Sequence, residues 1–404
     1  MNYILRDLAS SEKFEKYLKV KKYPVTISGI AFVAKAQLLA LTYEETRKPI
    51  CIITYNEIQA KNLQKNLSYF LEEGVLYFPK REIMAYDYVA ESSENQYERI
   101  DILNDIYNNK AKIIITTIEA VMQSMPPKDI IYKSVLNLKL GDTISHDEIK
   151  KFLLEQGYKR TDLIENRGEF CVRGDIIDIG VKENDGIRIE FWGDDIDSIR
   201  KFKISSQRST DMLENVDIYP AKELLLEDSL ENVCKRIKEN KKEYSLEDVE
   251  RILSGDYENK IDKYFNEFYK NKSNFIEYIN KCQIYLDEPE KIEQRIEAIK
   301  KDNESFINAL IDKEKPVPEI LENFSEFCLR INDVINLKEL DTLDDSFNTR
   351  EVNLFRGDVP SFKKEVEEAL KFGKKVVILA GDKDNAIKIR KIFENEIVIA
   401  NSLD

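Results

Sequence analysis

The sequence of 404 residues holds a single histidine, His146. Histidine-based metal sites and Ser-His-Asp or Cys-His nucleophilic catalysis therefore have almost nothing to work with. Cysteine is scarce too: Cys51, Cys171, Cys234, Cys282 and Cys328 are odd in number, far apart and form no CxxC pair. They read as buried thiols of a reducing cytoplasm, not as a disulfide or zinc framework. No apolar run approaches the length of a membrane span, and the opening stretch MNYILRDLASSEKFEKYLK lacks the apolar core of a signal peptide. A cytoplasmic protein with no membrane contact is expected. Positive charge is also in deficit, with 62 basic against 76 acidic residues and a net charge of −14. Such a chain repels phosphate backbones at long range, so nucleic-acid contact would need a local basic groove. Internal repeats and low-complexity linkers are absent.

What is present is a soluble globular balance, 42% hydrophobic and 34% charged, in a chain long enough for two to four domains. The first 120 residues alternate short apolar runs with helical periodicity. Strands are expected at 24–29 (PVTISG), 49–54 (PICIIT), 75–78 (VLYF) and 112–116 (KIIIT), and helices at 32–43, 56–71 and 99–107. The helix 56–71 has its apolar positions at Ile58, Leu63, Leu67 and Phe70. Fully apolar strands separated by helices mean a parallel sheet covered on both faces, a doubly wound, RecA-like α/β layout.

Near Leu136 the pattern changes. Ser145-His-Asp-Glu148 is a capping box opening a helix, and from Tyr158 to Ala221 the chain is strand-rich, with turn signals at Arg167-Gly168, Asn184-Asp-Gly186 and Gly193-Asp194. This is an inserted small β-rich domain. Residues 225–311 are helical and charged around one strand, 282–286 (CQIYL). A further α/β unit begins near 352, with strands at 352–355, 375–380 and 397–400 and helices at 361–372 and 384–394. The boundaries that follow are 1–125, 126–222, 223–345 and 346–404. The last unit reads as partial, as though the chain were part of a longer protein.

Three constellations could carry chemistry. Residues 29–36 (GIAFVAKA) sit between a strand and a helix, where a phosphate loop would sit. A working GxxxxGK[ST] loop cradles phosphates with backbone N–H groups, reaches them with its lysine and holds Mg²⁺ with its hydroxyl. Gly29 and Lys35 fit, but Ala34 replaces the second glycine and Ala36 the hydroxyl residue, while Phe32 and Val33 make the loop apolar. Weak nucleotide binding is one reading; a relic packed as an ordinary turn is the favoured one. Asp287-Glu288-Pro289 ends a strand as a Walker B pair would. Without a competent phosphate loop it reads as acidic residues opening the next helix.

The third is in the β-rich region. Period two puts Ile187, Ile189 and Phe191 inside and Arg188, Glu190 and Trp192 outside. In the strand from Glu169, Phe170 and Val172 are expected inside, and Arg173 outside if a bulge shifts the phase near Cys171. Trp192 is the only tryptophan, and Trp and Arg are the types most enriched at binding hot spots. The other reading has Trp192 capping the core edge and the arginines paired with Glu190, Asp194 and Asp195. The pattern alone leaves both open. His146 reads as a solvated surface residue, and the charge runs 235–242 and 290–301 as exposed helix faces. Lys80-Arg81 with Tyr86 and Tyr88 could stack on bases, but the neighbouring Glu91 and Glu94 argue against it.

These residues carry a family likeness. Residues 75–79 (VLYFP), Glu82, Tyr86-Asp87, Arg99-Ile100, 156–160 (QGYKR), Asp162, 168–178 (GEFCVRGDIID), 187–195 (IRIEFWGDD) and 206–209 (SQRS) together resemble the UvrB-homology region of bacterial transcription-repair coupling factors. The likeness runs closely from about 24 to 225 and more loosely beyond. The related repair protein UvrB has an intact phosphate loop and an aromatic hairpin that enters DNA. Here the loop is degenerate, and the segment around 86–96 is too short for the hairpin. The resemblance implies a module without ATPase activity or cofactor that recruits the UvrA repair protein through two arginines and an aromatic residue. By motif these are Arg173, Arg188 and Trp192, with Trp192 where the family often has phenylalanine. RNA polymerase and DNA would be contacted by other parts of a full-length coupling factor, where its ATP-driven motor lies. The alternatives are a UvrB-like or helicase-like nucleotide-dependent enzyme, and an autoinhibitory module that masks the UvrA-binding surface.

Overall fold

The structure is a computed structural model that describes residues 5, 11–19, 23–81, 93–240, 246–254, 264–271, 273–279, 281–312, 333–340, 346–353, 355–378, 380 and 383–393. One of its two main layers is a six-stranded sheet of β1 (Val25–Ile27), β2 (Ile50–Thr54), β3 (Val75–Phe78), β4 (Ile113–Thr117), β15 (Gln283–Asp287) and β16 (Val334–Leu337). The strands lie in the order β1-β16-β15-β2-β4-β3, and every pairing is parallel. All five residues of β2 and of β4 are buried, as a sheet covered on both faces requires. Ile50, Ile52, Ile113 and Ile115 enter one core with Leu38, Leu39 and Leu63, whereas Cys51, Ile53 and Ile114 enter the other with Leu103, Phe275 and Ile292. Each such side chain contributes about 1.5–3 kcal/mol by leaving water. The α/β class expected from the sequence is the observed one.

Local signals set several boundaries. The helix Phe32–Thr46 ends where Arg47 turns into the left-handed region, and Asn56 caps the helix Glu57–Leu67 by accepting from the Gln59 N–H. That helix ends earlier than the periodicity predicts, and Ile58, expected on its apolar face, is exposed. Strand β16 was not foreseen, yet it lies between β1 and β15 in the sheet.

A second sheet carries β7 (Lys159–Arg160), β8 (Glu169–Arg173), β9 (Ile176–Gly180), β10 (Asp185–Trp192), β11 (Asp195–Lys203) and β12 (Arg208–Met212), in the order β12-β11-β10-β9-β8-β7. Only β7 and β8 run parallel. Its inner face (Phe170, Ile177, Ile179, Ile187, Ile189, Ile199) packs on Ile149 and Leu153 of the helix His146–Glu155, which opens with the complete reciprocal capping box. β6 (Leu136–Lys139) and β13 (Asn215–Ile218) pair antiparallel and contribute Leu138 and Ile218 to the same core, while β5 (Ser124–Met125) and β14 (Ser273–Asn274) form another short antiparallel pair.

Polar anchors on the helix Ser93–Tyr107 fix this domain to the parallel sheet. Arg99 is buried and gives a two-armed bond to Glu223 at 2.7 Å per arm, while also donating to the Pro79 carbonyl and lying over the Phe78 ring. Arg167 forks onto Asp101 at 2.7 Å, and the Tyr97 hydroxyl donates to the Arg167 carbonyl. Gly168 follows at φ +81°, where a Cβ would collide with the Tyr97 hydroxyl.

The helices Leu230–Asn240 and Leu246–Leu253 meet Phe265 and Phe268 in a separate small core. Beyond residue 350 the described elements are the helices Val359–Lys371 and Lys383–Ile392. The strands expected at 352–355 and 375–380 form no ladder among the described residues, since an extended run becomes a strand only beside another. The strand expected at 397–400 lies outside the described residues.

Candidate functional site

The C-terminal edge of a parallel sheet is where such folds bind ligands. Here the loop after β1, the end of β15 and the end of β16 meet. Lys35 is fully buried and donates to Asp287 Oδ1 and Glu288 Oε1, each at 2.6 Å, with Glu339 at 3.6 Å. Asp287 Oδ2 accepts from Gln59, and Glu288 Oε1 also accepts from the Glu339 N–H. Burial alone would push the Lys35 ammonium down, but Asp287 and Glu288 outweigh it and hold its pKa above the ordinary value. The acidic pair is thus turned inward onto the loop lysine, a correction to its reading as plain first-turn residues. Pro289 does open the helix Pro289–Ile311, and Glu288 before it sits in the left-handed region at φ 57°.

The N–H groups at the start of the loop are occupied as well. Those of Gly29 and Ile30 donate to the carbonyls of Leu340 and Lys338 at 3.3 and 3.1 Å, and that of Ala31 to Thr349 Oγ1 at 2.6 Å. Gly29 is at φ +69°, and a Cβ there would lie 3.0 Å from Ser346 Cβ. Ala34 packs at the margin of the core, and Ala36, at the position of the Mg²⁺-binding hydroxyl, is wholly inside it. The segments 338–340 and 346–349 therefore cover the start of the loop, and carboxylates of the chain itself hold its lysine.

The outward face of the second sheet holds the other candidates. Strand β8 pairs with β9 in unbroken register, so simple alternation turns Phe170 inward and Arg173 outward. The bulge expected near Cys171 does not exist and is not needed. The register shift lies opposite the Glu190/Phe191 step, where Asp197 is the extra residue of β11. Arg173 is exposed, and its guanidinium donates to the Asp162 carbonyl at 3.0 Å. Trp192 is 81% exposed at the end of β10 and does not cap the core. Arg188 is on the same face but largely covered, with Nε and Nη2 bonded to the two oxygens of Asp178 at 2.7 and 2.8 Å. Hydrogen bonding to Asp178 raises its pKa further, against the effect of burial. Its expected partners, Glu190, Asp194 and Asp195, are not the ones it uses: Glu190 takes Ser198 and Arg200, and Asp195 accepts from Thr143. Arg173 is level with Glu190 through Ile176, two strands and two residues from Arg188, about 12 Å, and Trp192 is four residues from Arg188, about 13 Å.

Asp178 was not anticipated. It lies between isoleucines in β9, and its partner is ten residues on, in the next strand. Counting outward from the turn would have found it, since Gly180 faces Gly186 and Asp178 faces Arg188. His146, expected to be solvated, is half-buried with its ring 4.3 Å from that of Phe191, just behind the Trp192 turn. Cys51, Cys171 and Cys234 are buried free thiols and Cys282 is half-buried; Cys328 lies outside the described residues. So do Glu82, Tyr86, Asp87, Tyr88 and Glu91, and with them most of the segment compared with the UvrB hairpin. Among the described residues, no group of three His, Cys, Asp or Glu is placed to hold a metal ion, and no helix is long and apolar enough to cross a membrane.

Residues 136–224, which contain this face, match the family model of the UvrB interaction domain. The class is thus an α/β module with a six-stranded parallel sheet and a second, mixed sheet in the segment that is similar to the UvrB interaction domain. Within that class the likeness is to transcription-repair coupling factors. The chain is 27% identical over 411 residues to that of Bacillus subtilis (strain 168), covering 94% of this chain and 35% of the relative. It is 28% and 29% identical over 307 residues to those of Staphylococcus aureus strains Mu50 and USA300, covering 71% of this chain and 26% of each relative. The chain therefore spans about a third or less of the length of these curated relatives. The resemblance to the UvrB-homology region drawn from the sequence stands on these matches.

Proposed function

We propose that this chain is a docking module of the transcription-repair coupling type, which recruits the UvrA repair protein through the outer face of β8–β10 and hydrolyses no ATP. The observation that carries the reading is Trp192, 81% exposed on the same sheet face as Arg173 and Arg188, within the segment that matches the UvrB interaction domain. A large exposed aromatic costs solubility and contributes nothing to the fold, whereas in an interface it is a typical anchor. Arg173 and the free end of Arg188 supply the polar contacts around it, suited to carboxylates of the partner. Contacts with RNA polymerase and DNA belong, in this reading, to other parts of a coupling factor.

The absence of ATPase activity is supported by the filled phosphate loop. A nucleotide would have to displace residues 338–340 and 346–349 from the loop N–H groups and strip Lys35 from two buried carboxylates. No cofactor is needed for docking. Titration of UvrA into the wild-type chain and into Arg173→Ala, Arg188→Ala and Trp192→Ala, followed by calorimetry, tests the site. Each variant is expected to lose about 2 kcal/mol of binding, a roughly thirtyfold weaker Kd. Arg173→Ala and Trp192→Ala should leave stability unchanged, whereas Arg188→Ala strands the buried Asp178 and is read only where circular dichroism shows it folded. Unchanged affinity in all three rejects the assignment. Mg²⁺-dependent ATP hydrolysis that disappears in Lys35→Ala would favour the nucleotide-dependent enzyme instead.

A further inference from the structure

Arg188 and Arg173 share the docking face but are held in different ways. Arg173 has one carbonyl contact, and no carboxylate among the described residues lies within ion-pair distance of it. Arg188 is gripped along one edge: Nε meets Asp178 Oδ1 at 2.7 Å and Nη2 meets Oδ2 at 2.8 Å. Asp178 is only 1% exposed, with Cys171 Sγ 4.0 Å from its Oδ2. The Arg188 guanidinium also lies over the Phe202 ring, 5.0 Å from its centre, and Phe202 in turn covers Gly186. A guanidinium has five N–H donors. Two are spent on Asp178, which leaves the Nη1/Nη2 end, where the one further hydrogen bond among the described residues is a long one of 3.4 Å to Ser209 Oγ.

We propose that Asp178 is the positioning residue of the docking face: by holding the Nε/Nη2 edge of Arg188 it presents the Nη1/Nη2 end, pre-oriented, to a carboxylate of the partner. This rests on the docking reading given above and specifies it. Arginine is rich in rotamers, and a partner that binds a free arginine must first order it; Asp178 has already done so in the unbound protein. Asp178 is too deeply covered to touch the partner itself, so its effect on binding passes through Arg188. The pair is also electrically neutral, so what Arg188 offers is a directed fork, while Arg173 offers net charge.

A double-mutant cycle separates this from a purely structural role. UvrA binding is measured by calorimetry for the wild-type chain, Asp178→Asn, Arg188→Ala and the double variant, with Trp192→Ala alongside, in about 0.3 M salt to screen long-range attraction. Asn retains the shape but sets an N–H₂ group against an arginine N–H, opening one arm of the fork. Asp178→Asn is expected to weaken binding roughly tenfold and to add nothing once Arg188 is alanine. Arg188→Lys keeps the charge but has no fork, so it is expected to bind as weakly as Arg188→Ala; it leaves Asp178 in place and gives an answer should Asp178→Asn not fold. The proposal is overturned if Asp178→Asn binds like wild type, if it weakens binding equally in the Arg188→Ala background, or if Arg188→Lys binds like wild type. Should Trp192→Ala also bind like wild type, the docking reading itself fails; weakened binding in Trp192→Ala with silent Asp178 and Arg188 variants rejects the positioning role alone.

Discussion

Replacing Lys35 with alanine distinguishes a filled phosphate loop from a working one, because the two predict opposite consequences for stability. In a working loop the lysine waits for a nucleotide, and its loss removes hydrolysis while the fold is little affected. Here Lys35 is the counter-ion of Asp287 and Glu288, at 2.6 Å from each, with a side chain closed off from water. Removing one partner of a buried pair leaves the other charged and unpaired, which costs about 3–5 kcal/mol. The helix propensity of alanine returns only a few tenths of a kcal/mol at this position. Lys35→Ala should therefore lose about 3 kcal/mol or more of the stability of the parallel-sheet domain. Urea unfolding followed by circular dichroism at pH 7 measures this, with the slope compared to confirm that the same unit unfolds. The pH sign is fixed by the raised Lys35 pKa. Its contribution is complete below the unfolded value of about 10.4 and is lost only as pH rises through the higher folded value, so neutral buffer reports it in full. The triple change Lys35→Met, Asp287→Asn, Glu288→Gln should recover most of the loss, since a neutral network carries no buried charge. A Lys35→Ala variant within about 0.5 kcal/mol of wild type would falsify the account of this site.

Three further outcomes are expected. Burial raises the Glu223 pKa, but Arg99 outweighs it and holds the carboxyl below its ordinary range. Its stabilisation is therefore present above the unfolded carboxylate value of about 4.3 and lost as pH falls through the lower folded value. Glu223→Gln should melt at a lower temperature at pH 7 and show a flatter acid limb below about pH 4 in a melting series. Trp192→Ala should change stability by less than about 0.5 kcal/mol in urea unfolding, because so little of the ring is covered. Gly29→Ala should destabilise by about 1–2 kcal/mol in the same assay, since φ is +69° and the new Cβ would press on Ser346.

The parts of the fold that were legible are those where one local rule suffices. The runs ICIIT and IIITT are apolar on both sides and could only be interior strands, and the Ser145–Glu148 box announced its helix by residue type and spacing. Outward placement of Arg188 and Trp192 also followed from alternation. What was missed depends on who meets whom. Strand β16 is four residues long, VINL, with no helical or turn signal to single it out, and its place between β1 and β15 is decided only by assembly. The strands expected at 352–355 and 375–380 have the right composition but no neighbour to pair with among the described residues. At the candidate sites, the sequence could not bring Asp287 and Glu288 onto Lys35, some 250 residues away, nor Asp178 onto Arg188 without the hairpin register.

These long-range pairings connect the two sites. Ala36 lies inside the core and Ala34 at its margin, and residues 338–340 and 346–349 close over the start of the loop, so that this corner of the sheet is packed from within the chain. The opposite side of that sheet is tied to the interaction domain through Arg99–Glu223, a buried pair that also holds the end of β3 at Pro79. Arg167–Asp101 adds a second tie from the turn that leads into β8. Strand β8 carries Arg173, and through β9 its register sets where Asp178 holds Arg188. Two ion pairs thus fix the domain to the sheet, and the proposed docking face is carried on that frame. Its polar anchors then need little ordering when a partner arrives, which favours affinity from a small contact area.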